Sequence, residues 1–465
     1  MMALDCSNPW LLICVVVTGI STVWLTAIWI KCWKSLSRHF FFLFFYTTVV
    51  VFLQIAPLLS LLAPELPLAL AVWGLSHPRD YVREYAMLQA ASLLLFQLPL
   101  VWLYFGSCRK VGSVLLTLAA APGRAQCVAL GGIGFAILFL LIVIRDRLFF
   151  TRIGSEGLSQ LLVSLPFFDF FIYRSYQESA LFLLGVLYFL RHLLRRRSVW
   201  IAGAFWLNLV IYGYISLLNS RNAVVLLAIM LFGWRLMAHK GRVSGFRRLL
   251  RVGALAGVGA YLCIIVVNVR MAGGSASLRA AYLNPFGGVR IISDSEGFNR
   301  FDGIDLMARL APGIQGEGPA WGAAWKSSYW LVGRFIDPQG FDASRLSMTD
   351  TAKGFLMRRY WGWETTDYQT CRLTDMFGNF YLLGFPILAG IYAVLFVFCR
   401  RAFERPSSGK MFLLGLFVLV NIMMFEGTAD VLLFGWVRKL PVLLVVLAVC
   451  PFIVRAREKT WKEHV

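Results

Sequence analysis

Residues 199–240 read VWIAGAFWLNLVIYGYISLLNSRNAVVLLAIMLFGWRLMAHK. Two apolar runs, each long enough to cross most of a bilayer as a helix, are separated only by Asn219, Ser220, Arg221 and Asn222 and are closed by a basic stretch from Arg235. A soluble domain would not leave so much unbroken apolar chain; a pair of antiparallel membrane helices joined by a tight polar turn would. The same unit recurs along the chain. Of its 465 residues 59% are hydrophobic and only 15% charged, against roughly a quarter charged in ordinary soluble domains. The expected fold is therefore an all-α polytopic integral membrane protein.

The net charge of +21 decides orientation rather than nucleic-acid binding. Basic clusters poor in acid occur at Lys31–Arg38, Arg109–Arg124, Arg191–Arg197, Arg235–Arg251, Arg400–Lys410 and Arg455–Lys462, and two apolar spans fit between consecutive clusters. Every cluster can thus face the cytoplasm. The N-terminus is expected outside and the C-terminus inside, with about eleven spans near 10–30, 40–62, 85–106, 126–144, 176–194, 199–218, 222–238, 252–268, 376–399, 411–427 and 434–454. Residues 1–269 carry eight spans, 270–375 form one large outward loop, and 376–465 carry three spans and a basic tail. The first apolar run has no basic segment before it and Lys31 after it, as in an uncleaved anchor. Of the nine cysteines only Cys6 and Cys371 fall outward, either as a disulfide or as two free thiols.

Chemistry is expected on the outward side. Arg221, Arg300 and Arg309 are the arginines singled out there, because the guanidinium fork makes paired, charge-assisted hydrogen bonds to phosphate. Arg221 also opens a helix, where free N–H groups favour an anion; snorkelling to lipid headgroups is the competing role. The outward carboxylates include Asp80, Glu84, Asp302, Asp305, Glu426 and Asp430. A hydroxyl that attacks a sugar's anomeric carbon benefits from a positioned base, and Asp302, Glu426 and Asp430 are the candidates. FNRFDGIDLMARL stacks Arg300, Asp302, Asp305 and Arg309 within three helical turns, and EGTAD sets Glu426 and Asp430 four apart, on one face if the helix continues. Internal ion pairing is the alternative for both.

Trp325, Trp330 and Trp361 suit the apolar faces of sugars, although Trp also belongs at a bilayer interface. The helix-length pieces LMARLAPGI, AWGAAWKSSYWLVGRFI and FLMRRYWGW are expected in or near that interface. No H-E-x-x-H, phosphate-binding G-x-x-x-x-G-K-[ST] or clustered Cys/His set occurs, so neither a metal nor a cofactor is implied.

SRNAVVLLAI, a serine-arginine pair opening an apolar helix after a short outward turn, resembles the corresponding motif of O-antigen-type polysaccharide polymerases and ligases. RDRLFFTRIGSEGLSQLLVSLPFF before the middle helices, RFDGIDL in the large loop, the glycine-punctuated GNFYLLGFPILAGI and the acidic turn MMFEGTADVLLFGWVRKL follow in the same order. The resemblance implies a metal-independent membrane glycosyltransferase of the C-type architecture in the bacterial inner membrane. Its substrate would be undecaprenyl-pyrophosphate-linked oligosaccharide, its product a surface polysaccharide, and its partners a chain-length regulator and a flippase. Carried over by position, Arg221 would contact the lipid pyrophosphate, with Arg300 and Asp302 close to the chemistry. The ligases rely on a histidine in the large outward loop, and residues 270–375 contain none, which points to a polymerase. A flippase for lipid-linked oligosaccharide is the alternative from another class; it needs ionisable residues in the middles of several spans, whereas here they cluster at span ends.

Overall fold

The computed structural model describes residues 8–62, 77–107, 175–193, 199–219, 221–238, 302–326, 352–362, 370–404, 408–423 and 427–450, with short pieces at 115–118, 125–126, 129–131, 425 and 452–455. The expected spans near 126–144 and 252–268 fall largely or wholly outside these residues, as do Arg300, Trp330, Glu426 and Cys6.

Thirteen helices are named here. They are α1 (Pro9–Cys32), α2 (Leu36–Leu62), α3 (Pro78–Gly106), α4 (Ser175–Leu193), α5 (Val199–Asn219), α6 (Arg221–Ala238), α7 (Asp305–Glu317), α8 (Ala352–Trp361), α9 (Arg372–Phe380), α10 (Gly384–Glu404), α11 (Gly409–Ile422), α12 (Ala429–Phe434) and α13 (Trp436–Val449). Four stretches are long and apolar enough to cross a membrane: α1, α2, α3 and Arg372–Glu404, which joins α9 to α10. Exposed apolar side chains such as Val23, Trp102, Val199 and Val394 leave the exterior greasy, as a lipid-facing surface is. Helix is not the whole of it. β1 (Leu115–Leu118) and β2 (Phe452–Arg455) form an antiparallel ladder with Leu115 opposite Arg455, so the last span stops before 454 and its end turns into strand.

Packing brings the two kinds of helix end to two different places. At one end lie basic-cluster residues. His39 at the start of α2 bonds Tyr104 at the end of α3 (3.0 Å), Phe40 meets Phe232 near the end of α6, and Arg400 pairs with Glu404 at the end of α10. At the other end the segments read as outward converge. Arg79 donates to the Leu61 carbonyl (2.8 Å), the Arg372 N–H to Phe425 (3.1 Å), and the Gly427 N–H to Thr370 (3.1 Å). Arg221 starts α6 at the end away from Phe232. An aromatic wall of Phe42, Phe45, Tyr104, Tyr392 and Phe396 fills the space between α2, α3 and α10.

Two helices carry a π-turn for a reason written in the chain. In α2 the turn spans Val51–Ile55, and the Ala56 N–H bonds Val51 rather than Phe52. The next residue, Pro57, has no N–H to offer, so the Phe52 carbonyl is released from the helix. In α3 the turn spans Ser92–Gln97, with Leu98 bonding Leu93 and Pro99 following. The two turns face each other through a buried amide clasp. Gln54 Nε2 donates to the Gln89 carbonyl (3.1 Å) and to Ser92 Oγ (2.8 Å), and Gln89 Nε2 donates back to the Gln54 carbonyl (3.1 Å).

Two of the outer pieces turn their apolar side chains into the protein. Leu306, Met307, Leu310 and Ile314 of α7 are buried, as are Leu356 and Met357 of α8, and α7 packs on α3, α8 and α9. The span drawn over 376–399 is likewise not one helix. Tyr381 takes φ +51, and a Cβ on Gly384 would stand 2.4 Å from the Met376 carbonyl oxygen, so the chain turns sharply between α9 and α10.

Candidate functional site

The DGID segment before α7 is built from its own backbone outward. Asp302 Oδ1 accepts from the N–H groups of Ile304 (2.9 Å) and Asp305 (3.0 Å), which start the helix. The Gly303 N–H donates to the released Phe52 carbonyl (2.9 Å), and the Cys371 thiol donates to the Gly303 carbonyl (3.5 Å). A Cβ at position 303 would stand 3.1 Å from Cys371 Sγ and 3.2 Å from Phe52 O, a tight fit that glycine relieves. Cys371 is free and buried, which removes the disulfide with Cys6 from this arrangement.

Above this floor sit two carboxyl groups on one hydroxyl. Tyr85 Oη lies 2.9 Å from Asp302 Oδ2 and 2.9 Å from Asp305 Oδ1. A phenol has one proton, and a carboxylate can only accept. Both contacts are hydrogen bonds only if one carboxyl carries a proton of its own. Arg309 identifies which. Its Nε reaches both oxygens of Asp305 (3.1 and 3.2 Å), so Asp305 is the ion-paired carboxylate. Asp302 is therefore the carboxyl left to take the extra proton: with it Asp302 donates to Tyr85 and Tyr85 to Asp305, and without it Tyr85 donates to Asp302. Burial, reinforced by the neighbouring Asp305 charge, pushes Asp302 well above the usual carboxylate range; the bonds from Tyr85 and Ile304 draw it part of the way back. Arg309 is clamped between the rings of Tyr81 (5.2 Å) and Trp361 (5.3 Å). Asp302, Asp305 and Arg309 are 1%, 3% and 2% exposed.

A second acidic pair lies across the Gly303–Cys371 contact. Asp375 of α9 accepts from the Ala429 N–H at Oδ1 (2.8 Å), and from the Asp430 N–H (3.1 Å) and Trp325 Nε1 (3.0 Å) at Oδ2. It is the cap of α12. Asp430 is buried beside it. Glu426 and Asp430 do not share a helical face: α11 ends at Ile422, Gly427 takes φ +93, and α12 starts afresh at Ala429.

The structure therefore brings Asp302, Asp305 and Arg309 together and sets Asp430 apart from them, beside Asp375. Trp325 and Trp361 are engaged inside the protein, on Asp375 and on Arg309. Arg221 opens α6, and its side chain lies outside the described residues. Sequence reading missed Tyr85 and Asp375. Asp375 had a signal: Arg372, Asp375 and Asn379 form a polar stripe at helical spacing through RLTDMFGNF, and all three are buried. Among the described residues no group of three or more His, Cys, Asp or Glu is placed to hold a metal ion. No family model, curated protein or solved structure matches the chain.

Proposed function

We propose that this chain is a membrane glycosyltransferase that polymerises undecaprenyl-pyrophosphate-linked oligosaccharide repeat units into a surface polysaccharide. It would have about eleven spans and a C-type architecture, and sit in the bacterial inner membrane with its N-terminus and large loop in the periplasm and its C-terminus in the cytoplasm. The observation that carries the reading is the Asp302–Tyr85–Asp305 chain, two carboxyls sharing one hydroxyl at the end of the bundle where the outward segments meet. The order of the motifs around SRNAVVLLAI supports it from the sequence side.

In this reading the acceptor sugar's hydroxyl oxygen attacks the anomeric carbon of the growing glycan. The bond from that carbon to the pyrophosphate oxygen breaks, and the lipid pyrophosphate leaves with the electron pair. The hydroxyl proton passes to the Asp305 carboxylate. Asp305 thereby becomes a neutral acid, Tyr85 and Asp302 keep their own protons, and the Tyr85 hydroxyl that donates to Asp305 helps set its basicity. The leaving anion needs cations rather than a protein nucleophile, and Arg221, at the same end of the bundle, is assigned to it, with Arg300 in the segment before Asp302. Arg309 is committed to Asp305 and tunes that carboxylate instead of meeting pyrophosphate. A chain-length regulator and a flippase that delivers repeats are the partners such a reaction implies.

Arg221→Ala decides the matter. The variant is expected to insert and fold normally while long glycan collapses to single-repeat products in a size profile. An unchanged ladder of lengths overturns the assignment, and repeats trapped on the cytoplasmic side point to a flippase.

A further inference from the structure

Asp302 and Asp305 are covered on every side, so the pair reaches no substrate until something moves. The DGID segment is tied to the bundle by the Tyr85 hydroxyl of α3 and by two contacts at Gly303: its N–H on the Phe52 carbonyl and its carbonyl under the Cys371 thiol. The first contact exists because α2 is in its π-turn. A return to α geometry would give the Ala56 N–H back to Phe52, and that carbonyl could no longer serve Gly303 in the same way. The π-turn is in turn held by the amide clasp with α3, in which Gln54 and Gln89 exchange side-chain-to-backbone bonds within fully buried surroundings. The Thr18 hydroxyl of α1 adds a third helix on the Gln54 carbonyl (3.3 Å). Among the described residues Gln54 Oε1 and Gln89 Oε1 are buried with no partner. Buried acceptors left unsatisfied weaken the arrangement they belong to, which suits a device with two states.

We propose that the paired π-turns of α2 and α3 form a latch: clasped, they hold the DGID segment closed over the acidic pair; released, they let it lift and admit substrate. The proposal takes its purpose from the glycosyltransferase reading, yet the motion itself is measured without any activity.

Cys371 supplies the probe, since it is free, fully buried and lies directly under Gly303. The purified full-length protein in detergent is treated with a water-soluble maleimide, and modification is followed at each cysteine by peptide mass spectrometry. Gln54→Met keeps the volume and removes the two clasp bonds that the Gln54 side chain donates, leaving only the Gln89 bond to the carbonyl of residue 54. Gly303→Ala leaves the bundle untouched and wedges a methyl between Phe52 O and Cys371 Sγ. Loss of one such restraint raises the open population, and with it the labelling rate of Cys371, about three- to tenfold in each variant. Cys399, buried between α10 and α11 at the other end, stays unlabelled. Should Gln54→Met fail to fold, Gly303→Ala alone decides. Unchanged labelling of Cys371 in a folded variant overturns the latch, and so does equal labelling of Cys399, which would mean the bundle had loosened as a whole. Faster labelling together with normal glycan lengths after Arg221→Ala would keep the latch and discard the polymerase.

Discussion

Two buried aspartate pairs lie on either side of Gly303, and they are built from opposite accounts of protons. Around Asp375, three N–H donors converge on one carboxylate, and none of them can accept. Such a group is saturated; it ends loops and starts α12. Around Asp302 and Asp305 the central partner is a hydroxyl, which donates and accepts, so a proton must be shared and can be moved. Burial is equal in the two places. What separates a cap from a site of proton transfer is the ability of the aromatic partner to accept.

That contrast can be broken first at the aspartates. Asp302→Asn keeps every bond of the protonated acid, with the amide donating to Tyr85, so the fold should survive; Asp305→Asn removes the proton acceptor, and glycan polymerisation should fall by about 10²-fold or more. Asp375→Asn keeps the charge out but turns an NH₂ toward the Asp430 N–H or the Trp325 N–H. It should cost about 3 kcal/mol, seen as a lowered denaturation midpoint in detergent. If Asp302→Asn unfolds the chain while Asp375→Asn is silent, the two pairs have been assigned the wrong way round.

The pH dependence sharpens the comparison at a smaller scale. Asp302 has its folded value raised, so the native state holds a proton that the unfolded state has already lost. Its contribution to stability is complete below about pH 4 and is lost as pH rises through the raised value. Thermal midpoints measured from pH 5 to 8 should therefore fall for the native protein and fall less steeply in Asp302→Asn, in which residue 302 cannot ionise. The smallest effect is expected at Trp325. Trp325→Phe removes one of three donors from Asp375 and should cost about 1 kcal/mol with glycan length unchanged.

Much of this was legible in the chain. The runs that became α1, α2 and α3 announce themselves by length and apolarity, and the spacing of Asp302, Asp305 and Arg309 held an internal ion pair as the alternative to Arg309 meeting pyrophosphate, which is the one the structure forms. Other features depended on partners distant in sequence. LMARLAPGI shows an apolar stripe, but the stripe is the same whether lipid or α8 covers it. Tyr85 reads as one more interfacial ring until the segment at 302 arrives 217 residues later. Glu426 and Asp430 looked like one helical face because nothing in EGTAD says that Gly427 adopts positive φ. Pro57 and Pro99 were visible, yet a proline near the end of a span reads as a kink; that it frees the carbonyl of Phe52 follows only from the turn before it.

The small ladder between Leu115–Leu118 and Phe452–Arg455 has a consequence in time. On a ribosome the first strand is made about 330 residues before its partner, and at roughly 5–20 residues per second it waits on the order of tens of seconds. Every span between them must be threaded before those four residues can zip. The ladder can therefore close only after the whole stretch between its two strands has been made.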